Sequence, residues 1–337
     1  MVYSGIMKEV ATLKKIARLL NISISTASRA LKNHPEISEK TKQRVQDLAK
    51  KLEYVPDANA IHLRTNKSKV LGLMVPSVSY YFYDSFIASV EEECRKTGYS
   101  LLILQSGDDP QTEITNLKIC RENRINGLFI SITPKTKDIN SFLKFQDSGI
   151  PVIFFDKVPA FEACNKVCLA DADAARISAK KIFAQKKKKV LALFGDIHLL
   201  ITKKRLSAFN ETFRDEKAKP KLVIAHAFGT EDAGRKILEN FSLKNKPDTI
   251  FCMSDEILCG VMKALQILKL KVPEDVSVIA ISNGFIPKLF YPEITYVETS
   301  GNKLGKLAFK RMMSCISGST FIQTITLESV LVEGGSI

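Results

Sequence analysis

From Val70 onward the chain alternates short, unbroken apolar runs with amphipathic stretches. The runs read "VLGLMV", "LLILQ", "GLFISI", "PVIFFD", "VLALFG", "LVIAHAF", "TIFCM" and "VSVIAIS". Helical periodicity fills the gaps between most of them, over 86–96, 172–184, 203–215 and 255–270. A strand that is apolar at every position is covered on both faces, so this texture predicts a parallel α/β sheet with helices on each side. Eight or more such units exceed one comfortable open sheet, and two doubly wound subdomains are expected.

Before Val70 the period is helical throughout. Leu13, Ile16, Ala17 and Leu20 share one face, with Thr12 placed as N-cap. Asn21 tolerates the left-handed backbone that a tight helix-to-helix turn needs. Ser23 then caps a second helix running to about Asn33, "NHPEIS" interrupts, and Ser38 caps a third with Val45, Leu48, Ala49 and Leu52 as its buried stripe. Pro56 ends the pattern. Residues 57–64 have room for only about two helical turns, too few to be stable alone, and "TNKSK" follows as a polar linker. The fold class expected is therefore α/β: a three-helix head and hinge, then two doubly wound parallel-sheet subdomains.

Charge separates the two parts further. The chain carries a net charge of +14 over 337 residues. Through Lys67 there are thirteen Lys and Arg against six Asp and Glu, so half of the excess sits on one fifth of the chain. A compact basic head suits a polyanion, because neutralising phosphates releases counterions; charge alone equally fits a solubilising surface.

The stretch "SISTASRA" decides between these. A helix that enters the major groove must present short polar side chains and little bulk. Ile24, Ser25 and Arg29 are expected to face outward, with Ala27, Ala30 and Leu31 inward. Ser25 and Arg29 suit base edges, whereas Thr26 and Ser28 suit the phosphate backbone. Thr12, Ser23 and Asn33 complete the expected contact face.

The segment "TLKKIARLLNISISTASRALKNHPEISEKTKQRVQDLAKKLEYVPDANAIHLR" resembles the head of the lac repressor family of bacterial transcription factors. "VLGLMVP", "GLFIS", "GIPVIFFD", "TKKRLSAF", "DTIFCMSDEILCG" and "VPEDVSVIAIS" continue the resemblance in family order. It implies a homodimer on a near-palindromic double-stranded DNA operator, and a core of periplasmic-binding-protein type. It implies the helix-turn-helix domain at 8–54 and a hinge helix with linker at 55–67. One core subdomain is then expected at 68–160 plus 295–320, and the other at 161–294 plus 321–334. Leu63 matches the family's hinge leucine, which wedges into a central base step, and His62 lies beside it.

The resemblance also places a small-molecule effector, a sugar or sugar derivative, between the subdomains at the carboxyl ends of the strands. Candidate contacts are Ser77, Tyr81, Phe82, Asp156, Arg205, Ser254, Asp255 and Ser282. Arg205 matches the family's effector-binding arginine. The aromatics Tyr80, Tyr81 and Phe82 read equally as a sugar platform or as packing. Ser282 stands where the family usually has aspartate, which shifts the expectation from a neutral sugar toward an anionic or modified one. Ser254 replaces an asparagine, and Glu53 replaces a glycine in what is expected to be a harmless change at a helix end.

Other classes are disfavoured. No G-x-G-x-x-G follows a strand, no Walker sequence occurs, and His34, His62, His198 and His226 are dispersed. Seven cysteines, of which Cys164 and Cys168 are closest together, lack metal spacing and read as buried thiols. Neither catalysis, a metal nor a cofactor is expected. The start, "MVYSGIMKEVATLKK", lacks an apolar signal core, so the expected location is cytoplasmic, with no membrane association. The alternative is a sugar-binding protein without DNA function, against which the helix-turn-helix weighs.

Overall fold

A computed structural model describes residues 11–54, 68–215, 220–244 and 246–337. The chain divides into a unit through Ser68 and a unit from Lys69 onward. The expected hinge contacts His62 and Leu63 lie outside the described residues.

In the first unit, helices α1 (Leu13–Leu20), α2 (Ile24–Leu31) and α3 (Glu39–Lys51) form where caps and stripes predict them. Thr12, Ser23 and Ser38 each accept a backbone N–H three residues ahead, which satisfies an otherwise orphan donor. Asn21 adopts φ 51°, and the N–H of Ile22 reaches back to the Ala17 carbonyl to close α1. The packed centre is small: Ile16, Ala17, Ala27, Ala30, Val45 and Ala49, ringed by partly buried residues that include Leu31, Leu48 and Leu52. Glu53 takes φ 53°, so the expected harmless replacement of glycine places a Cβ in the left-handed region, where side chains are disfavoured.

The second unit contains two six-stranded sheets. The first is built from β1 (Val70–Val75), β2 (Ser100–Gln105), β3 (Leu128–Ile130), β4 (Val152–Phe155), β5 (Asn165–Leu169) and β11 (Thr324–Leu327). Its order is β11-β5-β4-β3-β1-β2 and every pairing is parallel. The second comprises β6 (Lys189–Phe194), β7 (Lys221–His226), β8 (Thr249–Cys252), β9 (Ser277–Ser282), β10 (Thr295–Glu298) and β12 (Val330–Val332). Its order is β12-β10-β9-β8-β6-β7, parallel except for β12 against β10. Helices α4 (Tyr81–Thr97), α5 (Pro110–Glu122), α6 (Asn140–Asp147) and α11 (Gly301–Ile316) pack with the first sheet. Helices α7 (Asp171–Ala184), α8 (Leu200–Asp215), α9 (Thr230–Phe241) and α10 (Asp255–Ile267) belong with the second.

The chain crosses between subdomains three times, one element later than expected each time. β5 pairs with β4 in the first sheet rather than opening the second, and β10 pairs with β9 in the second rather than returning to the first. The last crossing falls between β11 and β12, not before β11. The boundaries at 160, 295 and 320 are corrected accordingly. The reason is physical: "NKVCL" and "TYVE" are largely buried in either sheet, so burial pattern cannot say which neighbour they hydrogen-bond. Helix α4 also begins five residues before the expected 86, because "YFYD" supplies its first turn. All seven cysteines are unpaired, five of them buried.

Candidate functional site

The outer face of α2 is polar and slim. Ile24 is 49% exposed, Ser25 and Arg29 are exposed, and Ala27 and Ala30 are buried beneath. Ser23 Oγ lies 2.9 Å from Ser25 Oγ and 2.8 Å from Thr26 Oγ1, a hydroxyl cluster at the helix start. Arg29 donates to Glu36 at 3.0 Å, with both side chains mostly exposed. Such a pair is worth about 0.2–1 kcal/mol, so the guanidinium is released cheaply to another acceptor. Asn33 adopts φ 55° and accepts from Gln46 Nε2 at 2.8 Å. Thr12 is an N-cap and Ser28 is half-buried.

In the second unit the carboxyl ends of β4, β6, β8 and β9 converge on a cavity of about 330 Å³ that draws residues from both sheets. Asp156 ends β4 with φ 55°, and its Oδ2 accepts from the Tyr83 hydroxyl at 2.7 Å. Tyr83 is itself buried, 2.7 Å from Ser131 Oγ. Burial holds the Asp156 carboxyl above its ordinary pKa, against the pull of Lys157 and the Tyr83 hydrogen bond.

Arg205 projects from α8 and is nearly fully buried. Its Nε and Nη2 donate to Asp171 Oδ1 at 3.0 and 2.8 Å, and Nη1 donates to the Met253 carbonyl at 2.8 Å. Three of the five guanidinium N–H groups are thus committed, and two remain for a ligand. The Asp171 carboxyl is pushed up to about 6 by burial, with Arg205 opposing the rise. The arginine is neutralised from behind. What it presents to the cavity is directed N–H donors rather than an unbalanced positive charge.

Asp255 opens α10, where Ser254 is the N-cap. Its Oδ1 accepts from Ser282 Oγ, and its Oδ2 accepts from the Asn283 N–H at 2.9 Å. Burial lifts this carboxyl to about 6 as well. Ser282 Oγ also accepts from the Gly284 N–H at 2.9 Å. The serine in place of the family aspartate thus acts as a donor to Asp255 and as an acceptor for the turn that follows β9.

Two expected contacts fall elsewhere. Ser77 Oγ accepts from the Ser79 N–H at 3.2 Å in a local turn, and Ser77 lies outside the cavity wall. Tyr81 also lies outside it, with its hydroxyl turned to the Cys259 thiol and its carbonyl accepting from Asn283 Nδ2 at 3.1 Å. Both sit one loop past β1, where the turn into α4 aims them away. The aromatic question is thereby divided: Tyr80 and Phe82 line the cavity, and Phe82 also packs on Tyr83 and Phe86.

Sequence reasoning missed Tyr83, Asp108, Lys157, Asp171, Asp196, Phe228 and Asn283. Asp196 and Lys157 follow strand ends, a signal available in "VLALFGD" and "PVIFFDK". Asn283 is the most connected. Its Oδ1 accepts from Ser85 Oγ and from the Gly301 N–H, each at 3.1 Å, while its backbone supports Asp255. It ties the end of β9 in one subdomain to α4 and α11 in the other, from the cavity wall.

A basic helix-turn-helix head joined to a core of two doubly wound sheets defines a class of regulators built on a periplasmic-binding frame. Residues 12–57 match the family described as bacterial regulatory proteins, lacI family, and residues 182–337 match the periplasmic binding protein-like domain. The chain thus carries a lacI-family DNA-binding domain and a periplasmic-binding-like domain. It is 24% identical over 309 residues to the HTH-type transcriptional repressor PurR of Vibrio atlanticus (strain LGP32), covering 91% of this chain and 92% of that protein. The solved lac repressor dimer bound to operator and the anti-inducer ONPF is similar with a TM-score of 0.87 at 18% identity, covering 97% of this chain and 99% of that one. A LacI family transcriptional regulator from Enterococcus faecalis V583 with bound ribose gives a TM-score of 0.71 at 20% identity, covering 79% and 98%.

Proposed function

We propose that this chain is a sequence-specific DNA-binding transcription regulator, a repressor in its ordinary action, whose hold on its operator is set by a small hydroxyl-rich molecule in the core cavity. One observation carries the reading. A single chain combines a slim polar helix, with Ile24, Ser25 and Arg29 turned to solvent, and a polar-and-aromatic cavity shared by two sheets. The names of the relatives support it: a transcriptional repressor, a repressor dimer on operator, and a regulator holding ribose. The reading includes a homodimer, because two heads one helical turn apart match a near-palindromic site. It includes a cytoplasmic location, where the DNA is, and no catalysis. Among the described residues, no helix is long and apolar enough to cross a membrane.

The regulating step follows from the cavity wall. A ligand that accepts from Arg205 and donates to Asp156 and Asp255 touches both subdomains. Asp255 is held by Asn283, which also grips α4 and α11. Ligand occupancy thus biases the angle between subdomains through contacts that differ between the two arrangements. The coupling is reciprocal: a ligand that weakens operator binding is weakened by operator to the same degree.

The test is binding of the full chain to genomic fragments as salt is raised. Affinity for a preferred sequence is expected to fall on the order of 1,000-fold between about 50 and 200 mM salt. A flat response with no preferred fragment overturns the reading. Asn283→Ala is expected to keep ligand affinity within about threefold while removing most of the ligand's effect on operator binding, a coupling of about 1–3 kcal/mol.

A further inference from the structure

A second cavity of about 260 Å³ opens beside the first, and the two share Pro134, Lys157 and Leu199 in their walls. Their charges are opposite. Five carboxyl-bearing side chains line the inner cavity against two cations, Lys157 and the neutralised Arg205. The outer cavity is lined by Lys137, Lys157, Lys203 and His198 and by no carboxyl group. Glu113, behind Thr133 and Thr136 of its wall, is already engaged by the Thr133 N–H at 2.8 Å and by Thr136 Oγ1 at 2.6 Å, and Asp108 of the inner cavity faces Lys157 Nζ at 3.9 Å. His198, Leu199 and Leu200 bring the start of helix α8 to the same wall, where Asp196 already accepts the His198 N–H at 2.8 Å through its side chain and the Leu199 N–H at 3.2 Å through its carbonyl, so the cationic side chains, not the helix end, distinguish this cavity.

We propose that the outer cavity is an anion subsite and that the effector is a phosphorylated sugar, its hydroxyls in the inner cavity and its phosphate among Lys137, Lys157 and Lys203. This deepens the ligand-controlled reading above and rests on it. The division of labour follows from charge. A phosphate in the inner cavity would face Asp156, Asp255 and Glu256, with the charge of Arg205 already balanced by Asp171. The outer cavity has room for a phosphate, with the ammonium groups of Lys137 and Lys203, and that of Lys157 shared with Asp108, to hold it. Lys137 and Lys203 are exposed in the free protein, so they are available to turn onto a ligand. The two subsites sit on both subdomains: Lys137 and Lys157 flank strands of the first sheet, and Lys203 lies on α8 beside the second. A ligand that spans them would draw the subdomains together from the mouth as well as from the floor.

The experiment compares the wild type with Lys137→Gln/Lys203→Gln, changing two exposed side chains that the fold does not need. Probes are inorganic phosphate, three sugar phosphates (ribose 5-phosphate, glucose 6-phosphate and fructose 6-phosphate) and their parent sugars, read by thermal shift and calorimetry at constant ionic strength. Inorganic phosphate is expected to stabilise the wild type saturably. At least one ester is expected to bind about tenfold or more tightly than its parent sugar. The double variant is expected to lose both effects while keeping its response to the parent sugar. Equal responses of wild type and variant to phosphate, parent sugars binding as tightly as every ester, or no response of the wild type to phosphate each overturn the proposal. Operator binding by both proteins, measured in parallel without ligand, separates this outcome from failure of the regulatory reading. Loss of DNA binding would sink the latter and leave the phosphate result standing.

Discussion

The head and the core solve opposite problems with the same helices. The head buries Ile16 and Val45 among four alanines, so its three helices come close together and leave the outer side of α2 thin. The core buries aromatic stacks such as Phe86 on Phe155, with ring centroids 3.8 Å apart, and encloses a cavity whose walls hold two carboxyls at raised pKa, with a third behind Arg205. Little apolar area in the head means little stability to spare; apolar depth in the core lets polar groups be held dry and aimed. A reader of DNA needs a surface that fits into a groove, whereas a sensor needs a shaped hole. The contrast lies in side-chain size rather than in secondary structure.

The largest expected effect breaks the core alone. Gly260 of α10 lies against α9, and an added Cβ would stand 2.0 Å from the Thr230 carbonyl oxygen. Gly260→Ala is expected to cost about 3 kcal/mol or more, lowering the core's melting transition in calorimetry while the head's transition stays in place. Ile16→Ala does the converse. With Ile16 fully buried at the centre of a six-residue core, a loss of about 2–4 kcal/mol should unfold the head and abolish operator binding. Ligand binding by the core should survive, and a parallel loss of ligand binding would contradict the division.

Acidity probes the core's dry carboxyls. Asp255 rises from 3.8 to about 6 in the folded protein, so the folded state takes up its proton first. Its contribution to stability therefore grows as pH falls through about 6 and is lost as pH rises through it. Between pH 7 and pH 5 the wild type is expected to gain on the order of 1 kcal/mol relative to Asp255→Asn, read by denaturant unfolding of the core. No difference in slope between the two proteins would mean that the carboxyl is better hydrated than its burial implies. The smallest effect sharpens the head: Glu53→Gly should raise the head's stability by about 1 kcal/mol, since glycine adopts the φ of 53° without strain.

The head was legible because everything that shapes it is local. Thr12, Ser23 and Ser38 are read as caps within three residues, and Asn21 as a turn from its own backbone tolerance. The site was legible only in part. Asp156, Arg205, Asp255 and Ser282 were found because strand ends and the family resemblance mark them. Asp171, Tyr83 and Asn283 were not, because their partners lie 34, 73 and 202 positions away along the chain. The pairing of Arg205 with Asp171 is invisible in the sequence for the same reason.

What the order of residues determined was each element, its period and its caps, together with the basic balance of the head and the run of strands and helices in the core. Those are settled by interactions within one or two turns of chain, and sequence carries them directly. Tertiary structure decided which sheet β5, β10 and β11 join, which cavity each lysine and carboxyl faces, and that one asparagine spans both subdomains. Pairing and facing depend on where distant segments meet in space, and a buried strand or a lone charge looks the same from either side until they do.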